Sequence, residues 1–203
     1  MCVGKAVCQR MQNYFTRSAT KQAFCWFNVR NMNKFQIDRL LVKVSQGSNQ
    51  AFADLYEATK KGVFAFIFTY LHNYADTEDA TMDVFLKVKR NIHSYKQGTN
   101  GLAWMLQIAK NHSLTLLSKR KRNGEQILHE NAHGEVSPME GTAGIMDAMQ
   151  KSLTEEEQRI VTMFVLFNYK HREIAHQLGI PVGTVTSKYK RALQKLKNTL
   201  EGH

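Results

Sequence analysis

Asn168–Lys197 reads NYKHREIAHQLGIPVGTVTSKYKRALQKLK, and its punctuation is that of two short helices joined by a tight turn. The first helix is expected over roughly Lys170 to Leu178, with Ile174, Ala175 and Leu178 on one side. Gly179 then supplies the residue that tolerates a left-handed cap. Ile180 follows as an apolar plug, and Pro181 fixes an extended entry into the next helix. In that helix Val185, Tyr189, Leu193, Leu196 and Leu200 share one stripe. Ser187, Lys190, Arg191 and Gln194 fall on the other side, at spacings that keep them on one helical face. Such a face fits a major groove, where side chains read base edges and cations neutralise phosphates. A basic helix face is more often merely solvated; the two-helix grammar around Gly179 favours DNA binding here.

The segment before it supplies a third helix. Thr154 and Glu157 have the spacing of a capping box, and Glu155 and Glu156 sit where a helix N-terminus favours negative charge. Ile160, Val161, Phe164, Val165 and Phe167 then form an apolar face to pack beneath the pair. The acidic run reads as capping rather than as catalytic carboxylates.

Bulk composition narrows the partners. The 203 residues carry 28 Lys plus Arg against 17 Asp plus Glu, a formal charge of +11. That balance suits a polyanion, either nucleic acid or an anionic membrane surface. The longest unbroken apolar run, Val63–Phe68, is far too short to span a bilayer, so no membrane insertion is expected. No secretory signal is recognisable at the start. Two prolines, twelve glycines and a nearly continuous 3.6-residue periodicity predict an all-α chain. Cys2, Cys8 and Cys25 form no CxxC pair and suggest neither a disulfide framework nor a zinc site, as expected of a reducing cytoplasm.

Two small helical domains joined by a flexible acidic linker are expected. Residues 1–33 lack any acidic residue and clean periodicity. They read as a disordered basic arm or as an early start upstream of Met32, with a superficial likeness to a transit peptide. Residues 34–122 accommodate four helices. Ile37, Leu40, Leu41 and Val44 mark the first; Ser48 or Asn49 caps the second, which runs through Phe52, Leu55, Tyr56, Val63, Phe64, Ile67 and Leu71. Asp76 or Thr77 caps the third, with Thr81, Val84, Phe85, Val88 and Ile92 facing inward. A polar loop over 93–101 leads to the fourth, buried through Leu102, Met105, Leu106, Ala109 and Leu116. Residues 123–151 hold five acidic residues with glycine and proline and read as the linker; 152–203 form the second domain.

The fourth helix ends in four consecutive bases, Lys119 to Arg122, with Lys110 on the same helix and His93, Tyr95 and Trp104 at or before its start. Aromatic rings beside a cationic track suit single-stranded nucleic acid, because bases stack while charges hold phosphates. A buried Trp104 and a solvated basic helix end, favoured by the dipole, explain the same residues equally well.

These two segments, in this order, resemble the extracytoplasmic-function group of the sigma-70 family of bacterial sigma factors. The second domain is similar to region 4 through LTEEEQRIV, REIAHQLGI and GTVTSKYKRALQKLK; the first is similar to region 2 through AFADLYE, DTEDATMDVFLKV and WMLQIAKN. The resemblance implies a cytoplasmic bacterial protein that binds core RNA polymerase and directs promoter-specific initiation without a cofactor, a metal or catalysis of its own. It implies that Asp79 and Asp83 contact the polymerase clamp. Tyr95, Asn100, Trp104, Lys110, Asn111, Lys119 and Arg120 would capture the melted −10 element. Arg172, Thr186, Ser187, Lys190 and Arg191 would read the −35 element as duplex. An anti-sigma factor, membrane-bound in many members, is implied as a further partner. The chain departs from the family pattern at Met82, where a glutamine is usual, and at Asp83, usually glutamate. Thr115 replaces an aspartate, while Lys170 and Pro181 stand where capping residues are usual.

Two rivals compete. A stand-alone dimeric helix-turn-helix regulator would bind repeated half-sites without polymerase, but leaves residues 34–122 unexplained. A helical nuclease would need clustered carboxylates or a His/Cys metal set. The eight histidines are scattered, and Asp76, Glu78 and Asp79 read as helix-start charges.

Overall fold

The computed structural model describes residues 34–123 and 143–201, with side chains over 35–123 and 146–199. The expected basic arm, its three cysteines, residues 124–142 of the expected linker and the Leu200 side chain lie outside them. Among the described residues there are eight α-helices and no strand. They are α1 (Lys34–Ser45), α2 (Asn49–Leu71), α3 (Tyr74–Arg90), α4 (Gly101–Arg122), α5 (Ala143–Ser152), α6 (Glu155–Phe167), α7 (His171–Leu178) and α8 (Val182–Glu201). A single 3-10 turn, Ile92–Ser94, follows α3.

Local chemistry sets the helix ends. Ser48 caps α2, its hydroxyl accepting from the Ala51 N–H at 3.2 Å. The α3 cap is a correction: Asn73, not Asp76 or Thr77, accepts from the Asp76 N–H at 3.0 Å, so the helix begins at Tyr74. His72 makes this possible by adopting the left-handed region (φ 51°), which turns the chain sharply between α2 and α3. The Thr154–Glu157 capping box is present in both directions. Each such cap contributes about 1 kcal/mol. Gly179 ends α7 in the left-handed conformation (φ 73°), where a side chain would be strained.

Helix α2 organises the whole molecule. From Gly62 to Leu71 every residue is buried, the signature of a helix surrounded on all sides. Helices α1, α3 and α4 cover one side of it and α6 another. Val63, Phe66 and Ile67 therefore belong to one continuous core with Leu106 of α4, Ile160 and Met163 of α6, and Val185 and Leu196 of α8. A second cluster joins Phe64, Ala65 and Phe68 to Met146 of α5, with Tyr74 and Leu166 beside it. At Gly62 the approach of α6 is so close that an added Cβ would lie 2.6 Å from Phe167.

Helix α5 occupies the end of the stretch expected to be linker. Met146 and Ala148 are buried, and the helix packs against α6 and α8. The single lysine and apolar residues of GIMDAMQK carry a helical stripe that the glycine and acidic content of residues 123–151 obscured.

Candidate nucleic-acid interface

The helix-turn-helix forms from α7 and α8, with α6 beneath. Four of the five bases of α8 divide into two sets. Lys188 pairs with Glu156, and Lys195 Nζ lies 2.8 Å from Glu157 Oε2. These inward pairs tie α8 to the first turn of α6. Burial opposes ionisation of Glu157, but Lys195 and the Thr154 N–H outweigh it and hold the carboxyl below its usual range. Lys190 and Arg191 instead face solvent, as does Arg172 on α7, and no described carboxylate pairs with them. Ser187 is exposed, its hydroxyl donating to the Gly183 carbonyl at 2.9 Å. Thr186 is half-buried and donates to the Val182 carbonyl at 3.0 Å.

The two unusual caps resolve simply. The Pro181 carbonyl accepts from the Val185 N–H at 3.1 Å and starts α8 without a capping side chain. At Lys170, Glu173 reaches back to the Lys170 N–H at 2.7 Å. Lysine has no acceptor to complete a box; the glutamate alone serves the end.

Of the expected −10 residues, Tyr95, Asn100 and Trp104 lie around the start of α4, whereas Lys110, Asn111, Lys119 and Arg120 are spread along it to its last turn, and several already have partners. Asn100 caps α4, accepting from the Ala103 N–H at 3.1 Å. The Gly101 N–H donates to Asp38 at 2.8 Å; a Cβ at Gly101 would collide with Leu41 and Asp38. The Tyr95 ring lies 5.4 Å from Trp104, and its hydroxyl donates to the Thr99 carbonyl at 3.1 Å. Burial, then the Asp38 carboxylate alongside, push the Tyr95 phenol up to about 12. Trp104 is half-buried, with one side packed on the core.

Helix α7 meets this same region. Tyr169, just before it, is buried to 1% exposure. Burial, followed by the charge of Glu173, raises its phenol well above the usual range, with the Asn100 side chain pulling the other way. Gln177 Nε2 donates to the Ala103 carbonyl at 3.2 Å, and Lys110 Nζ donates to the Gln177 carbonyl at 3.4 Å. The Arg159 guanidinium of α6 stacks 4.0 Å over the Tyr70 ring. Further along α4, Asn111 accepts from Gln107 at 2.9 Å and Lys119 is exposed. Arg120 pairs with Asp76 at 2.5 Å, whereas Lys121 and Arg122 are exposed. Thr115 faces out and donates to the Asn111 carbonyl.

The expected polymerase residues Asp79 and Asp83 are exposed on α3, flanked by exposed Met82 and Leu86. Sequence reading missed the groups that steady Asp83. Its carboxylate lies 3.3 Å from His112 Nε2 on α4, while His112 Nδ1 meets Lys87. Burial, then Lys87, lower the His112 pKa. The Asp83 carboxylate beside the buried Nε2 pulls the other way. The available signal was a histidine on the otherwise apolar stripe of Met105, Ala109 and Leu116.

No group of His, Cys, Asp and Glu among the described residues is placed to hold a metal ion, and no described helix is long and apolar enough to cross a membrane.

Comparison with known proteins agrees with this architecture. A family model described as Sigma-70 region 2 matches residues 55–123, and one for Sigma-70, region 4 matches residues 144–196. The chain is 22% identical over 175 residues to the ECF RNA polymerase sigma factor SigK of Mycobacterium tuberculosis, covering 81% of this chain and 94% of that one. It is 28% identical over 149 residues to SigE of Mycolicibacterium smegmatis, covering 64% and 54% respectively. The fold is similar to that of CnrH, solved with the cytosolic domain of CnrY, at a TM-score of 0.59 and 17% identity over 82% of this chain and 98% of the other. It is also similar to the sigma factor RpoE of Bartonella quintana, solved with the anti-sigma factor NepR, at 0.57 and 19% over 74% and 96%. The two domain matches, in their order and over most of the described residues, make this chain a member of the sigma-70 family, an extracytoplasmic-function sigma factor that gives core RNA polymerase its promoter specificity and catalyses nothing itself.

Proposed function

We propose that the chain divides one promoter between its two bodies. The outer face of α8, with Thr186, Ser187, Lys190 and Arg191, and Arg172 of α7 alongside, reads the −35 element as duplex. Tyr95, Asn100, Trp104, Lys110, Asn111, Lys119 and Arg120 capture the melted −10 strand, bases on the aromatic rings and phosphates on the cations. Asp79 and Asp83 dock on the polymerase clamp. The working compartment is the bacterial cytoplasm, and an anti-sigma factor is a further partner, as NepR is for RpoE.

The observation that carries this reading is the division of bases on α8. Lys188 and Lys195 hold the fold through Glu156 and Glu157, while Lys190 and Arg191 stand outward beside Ser187. An outward pair of this kind suits phosphates and guanine edges, each good bidentate base contact discriminating by about 1–3 kcal/mol.

The test pairs transcription with a pull-down of core enzyme. Lys190→Ala with Arg191→Ala should lower transcription from a cognate promoter roughly tenfold or more and leave core binding intact. Asp79→Ala with Asp83→Ala should weaken core binding instead. Unchanged transcription in the first protein rejects the α8 face as the reader. Tight, specific duplex binding without polymerase would favour a stand-alone regulator.

A further inference from the structure

The loop over 95–100 joins the 3-10 turn to α4, and its tip, residues 96–99, is exposed. An exposed loop of this kind is ordered only by what ties it down, because fixing each residue costs conformational entropy. Part of the tying is internal. The Thr99 N–H and hydroxyl both donate to the Lys96 carbonyl, at 3.2 and 2.7 Å, around Gly98 in the left-handed region (φ 83°). The Tyr95 hydroxyl donates to the Thr99 carbonyl at 3.1 Å and closes the loop on itself. A further tie comes from another helix: Asp38 Oδ1 of α1 accepts from the Gly101 N–H at 2.8 Å, where the loop becomes α4.

That tie is built for close approach. A Cβ at Gly101 would lie 2.7 Å from the same carboxylate oxygen, 2.3 Å from Leu41 Cδ1 and 3.3 Å from Tyr95 Oη. Asp38 and the Tyr95 hydroxyl therefore converge on Gly101. Helix α1 packs on both α4 and the 3-10 turn, and Ile37 and Leu41, before and after Asp38, are buried. Helix α1 also precedes the residues matched by the region 2 model, 55–123. A carboxylate beside a phosphate path weakens binding by like-charge repulsion, so in a chain of +11 its place at this loop calls for an offsetting role.

We propose that Asp38 is a positioning residue for capture of the −10 strand: by anchoring Gly101 to α1 it holds the loop so that the Tyr95 ring, 5.4 Å from Trp104, forms one stacking platform with the indole. A loop already ordered loses less freedom when the strand binds. The inference rests on the assignment of Tyr95 and Trp104 to that strand.

The test uses the full chain on core RNA polymerase. A promoter is first selected by the wild-type holoenzyme from random-sequence duplex DNA. Its −10 strand and a scrambled version then serve as single-stranded oligonucleotides, with binding measured well below the unfolding temperature. Asp38→Ala removes the acceptor. Asp38→Leu removes it while keeping the bulk, and stands in should the alanine protein not fold. Asp38→Asn keeps an amide oxygen for the Gly101 N–H and discards the charge. Preference for the cognate strand should fall roughly threefold to tenfold in the alanine and leucine proteins, the amount one hydrogen bond supplies. It should stay near wild type in the asparagine protein, and in a Tyr95→Ala background the loss should largely disappear. Trp104 gives an independent readout. With Trp26→Phe it is the sole tryptophan of the chain, and its quenching by acrylamide should rise in the free alanine and leucine proteins but not in the asparagine protein.

Wild-type preference in the alanine and leucine proteins, whatever their thermal stability, would make Asp38 a cap of α4 and no more. Equal tightening of all three variants on cognate and scrambled strands also overturns the proposal, since the carboxylate would then act only as a charge. So does an undiminished loss in the Tyr95→Ala background. A Tyr95→Ala, Trp104→Ala holoenzyme run alongside separates the failures. Lost preference there, with Asp38→Ala unaffected, overturns the role of Asp38 alone. Full preference there, or none in the wild type, overturns the stacking platform and the Asp38 proposal together.

Discussion

The two bodies treat their basic and polar side chains in opposite ways. In the helix-turn-helix, the bases that hold the fold point inward to Glu156 and Glu157, and the proposed readers Lys190 and Arg191 are left to solvent. In the four-helix body, Arg120 is on Asp76, Lys110 is on the Gln177 carbonyl, and Asn100 caps α4 beside the buried Tyr169. One reading face is presented; much of the other is occupied, in part by the helix-turn-helix itself. On the assignment proposed above, capture of the −10 strand and the packing of α7 on α4 draw on the same residues.

The strongest way to break the comparison is at Gly62. Phe167→Ala removes a buried ring from the contact between α2 and α6 and should cost about 3–5 kcal/mol of stability in thermal or urea unfolding. Gly62→Ala in the otherwise native chain should also destabilise, by about 1–3 kcal/mol, because its Cβ meets the Phe167 ring. In the Phe167→Ala chain the same change should reverse sign and stabilise by up to about 1 kcal/mol, since alanine is the better helix former. Additive effects of the two substitutions would show that α6 does not press on α2 as described.

That interface marks where sequence reading stopped. The stripe Leu55, Val63, Phe64, Ile67 and Leu71 was legible because one face of a helix repeats every three to four residues. Phe66, Phe68 and Tyr70 lie off that stripe, and a helix apolar on all sides signals a second covering layer. The expectation of two tethered bodies left that layer without a candidate. Caps written in local chemistry, Ser48, Thr154 with Glu157, and Gly179, were readable; Asn73 was passed over because two further capping residues follow it. The outward bases of α8 were legible from spacing. His112 and His171 were not, since each contacts a residue of another helix, Asp83 or Thr186, and only tertiary packing brings those together.

A smaller effect sharpens the inner half of the comparison. Glu157 is nearly buried and its carboxyl is held below the usual 4.5. Its stabilising contribution is thus present above that value and lost as pH falls through the depressed one. Glu157→Gln should cost about 1 kcal/mol at neutral pH, a modest figure because Lys195 is partly exposed and screened. Denaturation of wild type and variant should differ at neutral pH and converge in strong acid. A gap that persists in acid would assign the effect to packing rather than charge.

The smallest effect on stability tests the outer half. Asp76→Asn removes the partner of Arg120 but keeps the Asp76 N–H that Asn73 caps. A partly exposed pair of this kind contributes about 0–1 kcal/mol, so unfolding should barely move. Binding of the holoenzyme to a single-stranded oligonucleotide carrying its −10 element should tighten, because a cation is released next to the proposed strand path. The diagnostic is the salt dependence. One added phosphate contact on single-stranded DNA should steepen the slope of log affinity against log salt by about 0.7. An unchanged slope would mean that Arg120 serves the joint between α3 and α4 and never meets a phosphate. That outcome would move it from the reading side of the comparison to the structural side, with Lys188 and Lys195.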